Sequence, residues 1–328
     1  MLTIKKCAVC LVGILYYGCY NNTSNVITDD KNETFEISIE NRELNVDDLF
    51  YMDSLTLQMP KGKYLGNITD LCTNDGVLFV LDDNKQITSF DLESGIMQKQ
   101  IHKVGKERSE YLSPKALHAN KDGVYILDDY SFIRYTKTLE FMEKIPLKFI
   151  ALDFINENDQ FLFYNLFASP ETRRIIQTDK KGNITGSYGD SEVLNESVNT
   201  TYFLRKAKGD KVYLSEPTSG KIFVFRNGTY ENTINILLKD EEERADVDFT
   251  DYAEAFLLGD YIIQSYFRDD KRNYCFYNRS DRSYISGHST ISGHPFFPRW
   301  QMDDTLIGFE ARQTNDDEIY VVTFYTLR

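Results

Sequence analysis

The sequence predicts an all-β ring: a six-bladed β-propeller of four-stranded antiparallel blades, closed by a strand from the N-terminal end of the chain. The segment Gly76-Val-Leu-Phe-Val-Leu-Asp-Asp83 returns 47 residues on as Gly123-Val-Tyr-Ile-Leu-Asp-Asp129, one residue shorter. Each copy is followed by a second strand-like run, at 86–90 and 132–135. Weaker copies start near Phe161, Val212, Tyr261 and Leu306, so intervals counted from Val77 are 47, 37, 51, 49 and 45. A period of roughly 40 to 50 residues with several short strands in each is how a propeller reads in sequence.

The strands follow unit by unit. Unit one reads 67–72, 77–81, 86–91 and 97–102, and unit two 113–118, 124–127, 132–135 and 141–147. Unit three reads 149–154, 160–164, 173–178 and 184–188, and unit four 202–207, 211–215, 221–225 and 232–237. Unit five reads 252–258, 261–267, 273–277 and 283–286. Unit six has only 296–301, 305–311 and 319–327. The runs are rich in β-branched and aromatic residues. Turn signals such as Lys121-Asp-Gly123, Asp179-Lys-Lys-Gly182 and Arg226-Asn-Gly228 separate them. Since unit six lacks an outer strand, the orphan run at 35–39 is expected to supply it and hide two blade edges. Residues 44–50 read as a short helical turn, 55–59 as a strand leading into unit one, and 239–246 as a charged loop or helical turn. Residues 35–328 form one domain on this reading.

The N-terminal end is expected to be processed. Lys5 and Lys6 precede an 11-residue apolar run, 7–17, too short to span a bilayer, and Gly18 stands before Cys19. Residues 1–18 therefore read as a bacterial lipoprotein signal with Cys19 as the lipid attachment site, and 19–34 as a polar, flexible tether. The alternative is an ordinary signal cut nearby, with Cys19 a bystander. No later stretch offers 18 apolar residues in a row. Of the five cysteines, Cys72 and Cys275 remain in the domain, where two buried free thiols are expected rather than a disulfide.

The net charge is −14, and removing 18 residues with their two lysines leaves 310 residues at −16. So acidic a surface repels nucleic acid, which is excluded as a partner.

Four stretches resemble one family. Leu49-Phe50 with Leu55-Thr-Leu-Gln-Met-Pro60 and Tyr64-Leu-Gly66 resembles its lead-in to blade one. Val104-Gly-Lys-Glu-Arg-Ser-Glu-Tyr-Leu-Ser-Pro114 is similar to its glycine-rich turn before blade two, with Gly105, Glu110 and Tyr111 matching and Lys106 to Ser109 departing. Gly293-His-Pro-Phe-Phe-Pro298 and Asp316-Asp-Glu-Ile-Tyr-Val-Val322 look like its approach to blade six and its last strand. The family is the six-bladed β-propeller lipoproteins of Bacteroidota, an NHL-like group of largely unknown function. The resemblance implies a propeller in the bacterial cell envelope, lipid-anchored on the periplasmic or outer-membrane face. It brings no agreed activity and no cofactor.

The chemistry of the loops is sparse. Asp82-Asp83 and Asp128-Asp129 close their strands without the further oxygen donors and glycine of a calcium loop, so they are expected to accept backbone N–H groups. His288 and His294, on what reads as one loop, are weak metal candidates that need a third ligand such as His118 or His102 from across the ring. G-x-S-x-G, H-E-x-x-H and Walker sequences are absent, so a binding module is expected rather than an enzyme. The rival is an envelope hydrolase or lyase acting on glycan or peptide at the channel. The richest polar-aromatic stretch is Tyr266-Phe-Arg-Asp-Asp-Lys-Arg-Asn-Tyr274. Tyr266, Arg268 and Arg272, with Arg299 and Trp300, are expected to frame one channel mouth for a small anionic, glycan, peptide or protein ligand. The bland alternative is a charged hairpin tip in solvent, with Trp300 packed between blades.

Mass spectrometry of the envelope protein is expected to find an acylated Cys19 as the first residue. A soluble mature form, or a peptide still joining Gly18 to Cys19, would overturn that expectation.

Overall fold

The computed structural model describes residues 22–328 apart from 24, 30–31, 41, 158–159, 166–173, 189–202, 208–210, 217–219, 228, 241–244, 247–251, 269 and 314–317. Cys19 lies outside the described residues, as do the rest of the signal and the start of the expected tether. Among the described residues there is no helix, and the strands form six sheets.

Each sheet is a blade. Blade one comprises Ile68–Asn74, Val77–Asp82, Ile87–Asp91 and Met97–Ile101, paired antiparallel in chain order. Blade two comprises Ala116–Asn120, Gly123–Asp128, Ser131–Tyr135 and Phe141–Pro146. Blade three comprises Ala151–Glu157, Gln160–Asn165, Ile175–Thr178 and Ile184–Tyr188. Blade four comprises Phe203–Lys206, Lys211–Glu216, Lys221–Arg226 and Thr229–Asp240. Blade five comprises Tyr252–Leu258, Tyr261–Arg268, Lys271–Asn278 and Ser283–Ile291. A blade stacked between two others is covered on both faces, so its middle strands bury most of their side chains on both faces. Gly123–Asp128 is buried throughout, and its sequence is a continuous apolar run instead of an alternating one. Cys72 and Cys275 are buried free thiols in these sheets.

Ring closure uses an N-terminal strand, but not the expected one. Blade six comprises Trp300–Met302, Thr305–Gln313 and Glu318–Leu327, and its fourth strand is Phe50–Leu57, antiparallel to Glu318–Leu327 over eight residue pairs. Phe50 and Leu57 bury the two ends of this strand, while Tyr51, Asp53 and Ser54 face solvent. That polar middle suits an outer edge and hides the strand in sequence. The chain then locks onto blade one. Gln58 N–H donates to Gly95 O at 2.8 Å, and Met97 N–H donates to Gln58 O at 3.1 Å. Gly95 has φ +72°, and a Cβ there would lie 2.1 Å from Thr56 O, so both the turn and the close approach require glycine.

The run at 35–39 serves elsewhere. Asn32–Ile39 pairs in parallel with Thr229–Asp240 on the outside of blade four. Its alternation puts Phe35, Ile37 and Ile39 into the cluster between blades four and five, with the Phe35 ring 4.4 Å from that of Tyr277. A strand with one apolar face needs a groove to cover it, and blade six, capped by Phe50–Leu57, offers none. The strands between residues 22 and 45 form a strap around the outer rim. Asn25–Asp29 pairs with Asn32–Ile39, and both Asn22–Thr23 and Glu43–Asn45 pair with Ser283–Ile291 of blade five. The first two short strands fall in the segment read as a tether. Of the expected helical turn at 44–50, Leu44 and Asn45 end this strap, and a single helical turn follows in which Leu49 and Phe50 N–H donate to Val46 O. The expected loop at 239–246 is partly strand, since Ala245–Asp246 pairs back on Lys239 and Asp240.

Ile37, 1% exposed, tests the strap. Ile37→Ala should cost about 2–5 kcal/mol in equilibrium urea unfolding. A loss within about 0.5 kcal/mol would mean that the strap is not packed in solution.

Candidate functional site

The first strand of each blade has a free inner edge, and its unpaired N–H and C=O groups need partners. Where blades one and two are entered, the strand-closing aspartates Asp82 and Asp128 hold the lead-in to that first strand. Asp82 accepts Gly66 N–H at 2.8 Å and Gln86 N–H at 2.8 Å, and Asp128 accepts Ser113 N–H at 2.7 Å. The aspartates thus brace turns as their sequence implied.

A second set of acids lies deeper. Asp70 and Asp153 occupy the same place in blades one and three, each just inside a bulge of the first strand, opposite Leu81 and Tyr164. Glu254 falls within the corresponding bulge of blade five. Asp70 accepts its neighbour's N–H from Leu71 at 2.9 Å and, across the blade boundary, Leu117 N–H at 2.6 Å. Asp153 repeats this with Phe154 at 2.8 Å and Leu204 at 3.0 Å. Each carboxyl therefore latches one blade to the next. Burial, with the charge of Asp153 adding to it, pushes Asp70 up to about 8, and burial pushes Asp153 up to about 6.

On the other side of the ring the latch is an arginine. Arg205 of blade four is 6% exposed. Its guanidinium donates to Ser215 Oγ at 3.2 Å, to Ala255 O of blade five at 3.4 Å and to Arg299 O of blade six at 3.0 Å. It also lies 4.7 Å from the centre of the Phe256 ring. Gln301 of blade six adds bonds to Leu257 O at 2.9 Å and Lys206 O at 3.4 Å, and accepts the Tyr213 hydroxyl at 2.6 Å. Blades four and six are thereby joined in front of blade five.

These strands enclose a central channel of about 660 Å³, lined from the first strands of blades one, two, three, four and six. Its cationic lining is Lys115, Lys121, Arg205 and Lys206, against Asp70, Asp153 and Asp303. Lys115 is tied to Asp129 at 2.8 Å. Among the described residues Lys121 and Lys206 have no acidic partner. His118 projects into the same space with its ring edge-on to Phe154, and burial, then the charge of Lys206, pulls it down to about 4. It is therefore a neutral imidazole at physiological pH, able to donate and to accept.

The sequence-predicted residues divide. Tyr266–Tyr274 is a hairpin between the second and third strands of blade five, so it lies at the same end of the ring as the lead-in to blade six, where Arg299 sits. Tyr266 is fully buried between blades four and five and presents no surface to a ligand. Arg272 is engaged with Glu254 at 3.0 Å and lies over Phe267. Arg268 ends the second strand of blade five, the first of the hairpin. Arg299 is exposed, its guanidinium 5.0 Å from the centre of the Trp300 ring, and Trp300 is half-buried and lines the channel. His288 and His294 do not share a loop. His288 lies within Ser283–Ile291 with Nδ1 3.2 Å from Arg272 O, and His294 is exposed in the hairpin that follows. The strand runs on past Ser286 because Glu43–Asn45 covers its outer edge. Among the described residues no three metal-ligating side chains converge. Asp70, Asp153, Arg205 and Lys206 escaped the sequence reading. Superposing the repeats on their second strands would have aligned the two aspartates.

A sequence profile described as "6-bladed beta-propeller" matches residues 21–284, and the chain belongs to that family. No curated protein matches it. Among solved structures it is similar to a Bacteroides fragilis protein designated as exported, at 14% identity and a TM-score of 0.68, over 89% of this chain and 99% of that one. A member of the duf4221 family from Bacteroides vulgatus is similar at 8% identity and a TM-score of 0.52, over 86% of this chain and 99% of that one. At these identities the likeness is one of fold.

A carboxyl that is harder to ionise in the folded state adds stability that is complete below the ordinary aspartate range and is lost as pH rises through its folded value. Asp70→Asn removes that dependence. The stability of wild type relative to this variant should therefore fall as pH rises from about 4 to about 8. A difference that is flat across this window in chemical denaturation would show that Asp70 titrates normally.

Proposed function

We propose that this six-bladed propeller is a lipid-anchored envelope protein that binds a small ligand carrying an anionic group, a glycan acid being the best fit, in its central channel. One observation carries the reading. The chain has a net charge of −14, yet its channel gathers four basic side chains against three carboxyls. With Asp70 held near 8, one of those carboxyls is largely protonated at neutral pH. A local charge opposed to that of the whole molecule concentrates anions where the surface repels them. Lys121 and Lys206 supply cations at one mouth, neutral His118 and Asn156 supply hydrogen bonds, and Trp300 supplies an apolar wall. Arg299, over Trp300, marks the other mouth.

The envelope location rests on the lipoprotein-type start ending in Gly18-Cys19, and on the similarity to an exported Bacteroides protein. The NHL-like affinity rests on the four stretches quoted above. Hydrolysis is not favoured by the channel acids. All four oxygens of Asp70 and Asp153 accept backbone N–H groups, and one oxygen of each is tied to the next blade.

Calorimetric titration with uronic-acid oligosaccharides and their neutral counterparts tests the proposal. Only the acids should bind, and Lys206→Gln should weaken them roughly tenfold, the effect of one charge-assisted bond. Equal binding of the neutral sugars, or no change in the variant, would overturn it.

A further inference from the structure

We infer that the outer rim of blade five, with the turn Arg279-Ser-Asp-Arg282, faces the lipid bilayer, so that the ring stands edge-on and its channel opens sideways. This rests on the lipid anchor proposed above and adds an orientation to it.

The argument starts from where the described chain begins. Asn22–Thr23 pairs antiparallel with Tyr284 and Ser283, at the start of the outermost strand of blade five. Cys19 is three peptide steps earlier, a reach of at most about 11 Å. Asn22 and Thr23 occupy the start of the strand Ser283–Ile291. Its edge further on is already filled: His288 N–H donates to Arg42 O at 2.9 Å, and Glu43–Asn45 pairs with His288 to Thr290. The Gly287 position is closed as well, since a Cβ there would lie 2.4 Å from Arg42 O. Whatever path these three residues take, an acyl group on Cys19 holds this edge within about 11 Å of the membrane surface.

The chemistry of the edge agrees with a headgroup surface. Arg279 and Arg282 are exposed on the turn before this strand. Arg279 is shared with Glu33 of the strap at 3.3 Å, and Arg282 has no acidic partner among the described residues. In a chain of net charge −14, two arginines beside the anchor point place positive charge where lipid phosphates lie. A tether of 16 residues, as the sequence alone suggested, would have left orientation free. The strap removes most of that slack.

Site-specific quenching tests this. The two thiols of the domain, Cys72 and Cys275, are buried, so a single introduced cysteine takes the label. Ser280→Cys reports the rim of blade five. Tyr130→Cys, at a residue 62% exposed on blade two, reports the opposite side of the ring. The acylated protein is placed in phosphatidylethanolamine–phosphatidylglycerol vesicles carrying a headgroup quencher. Strong quenching at 280 with little at 130 is expected. Equal quenching, or more at 130, in a protein whose Cys19 is acylated overturns the orientation and leaves the anchor standing. Absence of an acyl group on Cys19, with failure to float with vesicles, overturns the anchor and this inference with it.

Discussion

A ring of sheets must close, and here everything else follows from how it closes. Blade six arrives at the C-terminal end with three strands, and its last one, Glu318–Leu327, would present a bare edge. Phe50–Leu57 covers it with eight residue pairs. The pairing fixes the first and last blades against each other, and Gly95 lets the closing strand seat on blade one without a gap. Because that position is filled, the apolar strand Asn32–Ile39 must find cover elsewhere and takes the rim between blades four and five.

Closure brings six first strands together with their inner edges free, and the channel chemistry answers that geometry. Asp70 and Asp153 take N–H groups from the next blade, and Arg205 and Gln301 take carbonyl oxygens across the boundary of blades four, five and six. Water and small ligands could satisfy these edges too, but a buried carboxyl does so without leaving the boundary open. The cost is desolvation, visible in the raised aspartates. The same architecture leaves Lys121, Lys206 and His118 available in the space.

The fold was legible because the middle strands of each blade are buried on both faces and so repeat as apolar runs. Val77–Asp82 and Gly123–Asp128 are the clearest. The closing strand was misassigned because solvent lies over its middle. Asp53 and Ser54 interrupt the pattern, whereas Phe35 to Ile39 alternates cleanly. Composition distinguishes a good strand from a poor one but does not say which sheet it joins. The site was less legible still. Arg268, Arg272 and Tyr266 drew attention through local density of charge and aromatics, but local density reflects a hairpin that pairs with itself, and Tyr266 is core. Channel residues come in short runs from five blades, so no one window of sequence contains them.

The closing pairs join residues 263 to 277 positions apart, from 320 − 57 to 327 − 50. No part of that contact can form until residues 318–327 have been made. Until then the segment that will finish the ring has no partner, and the edge strands of blade six do not exist. Such non-local pairing is slow to find, because loop closure must precede any gain from it. The molecule is therefore assembled late and as a whole. Its period of greatest exposure to proteases and self-association is the interval between arrival of the first strand and arrival of the last.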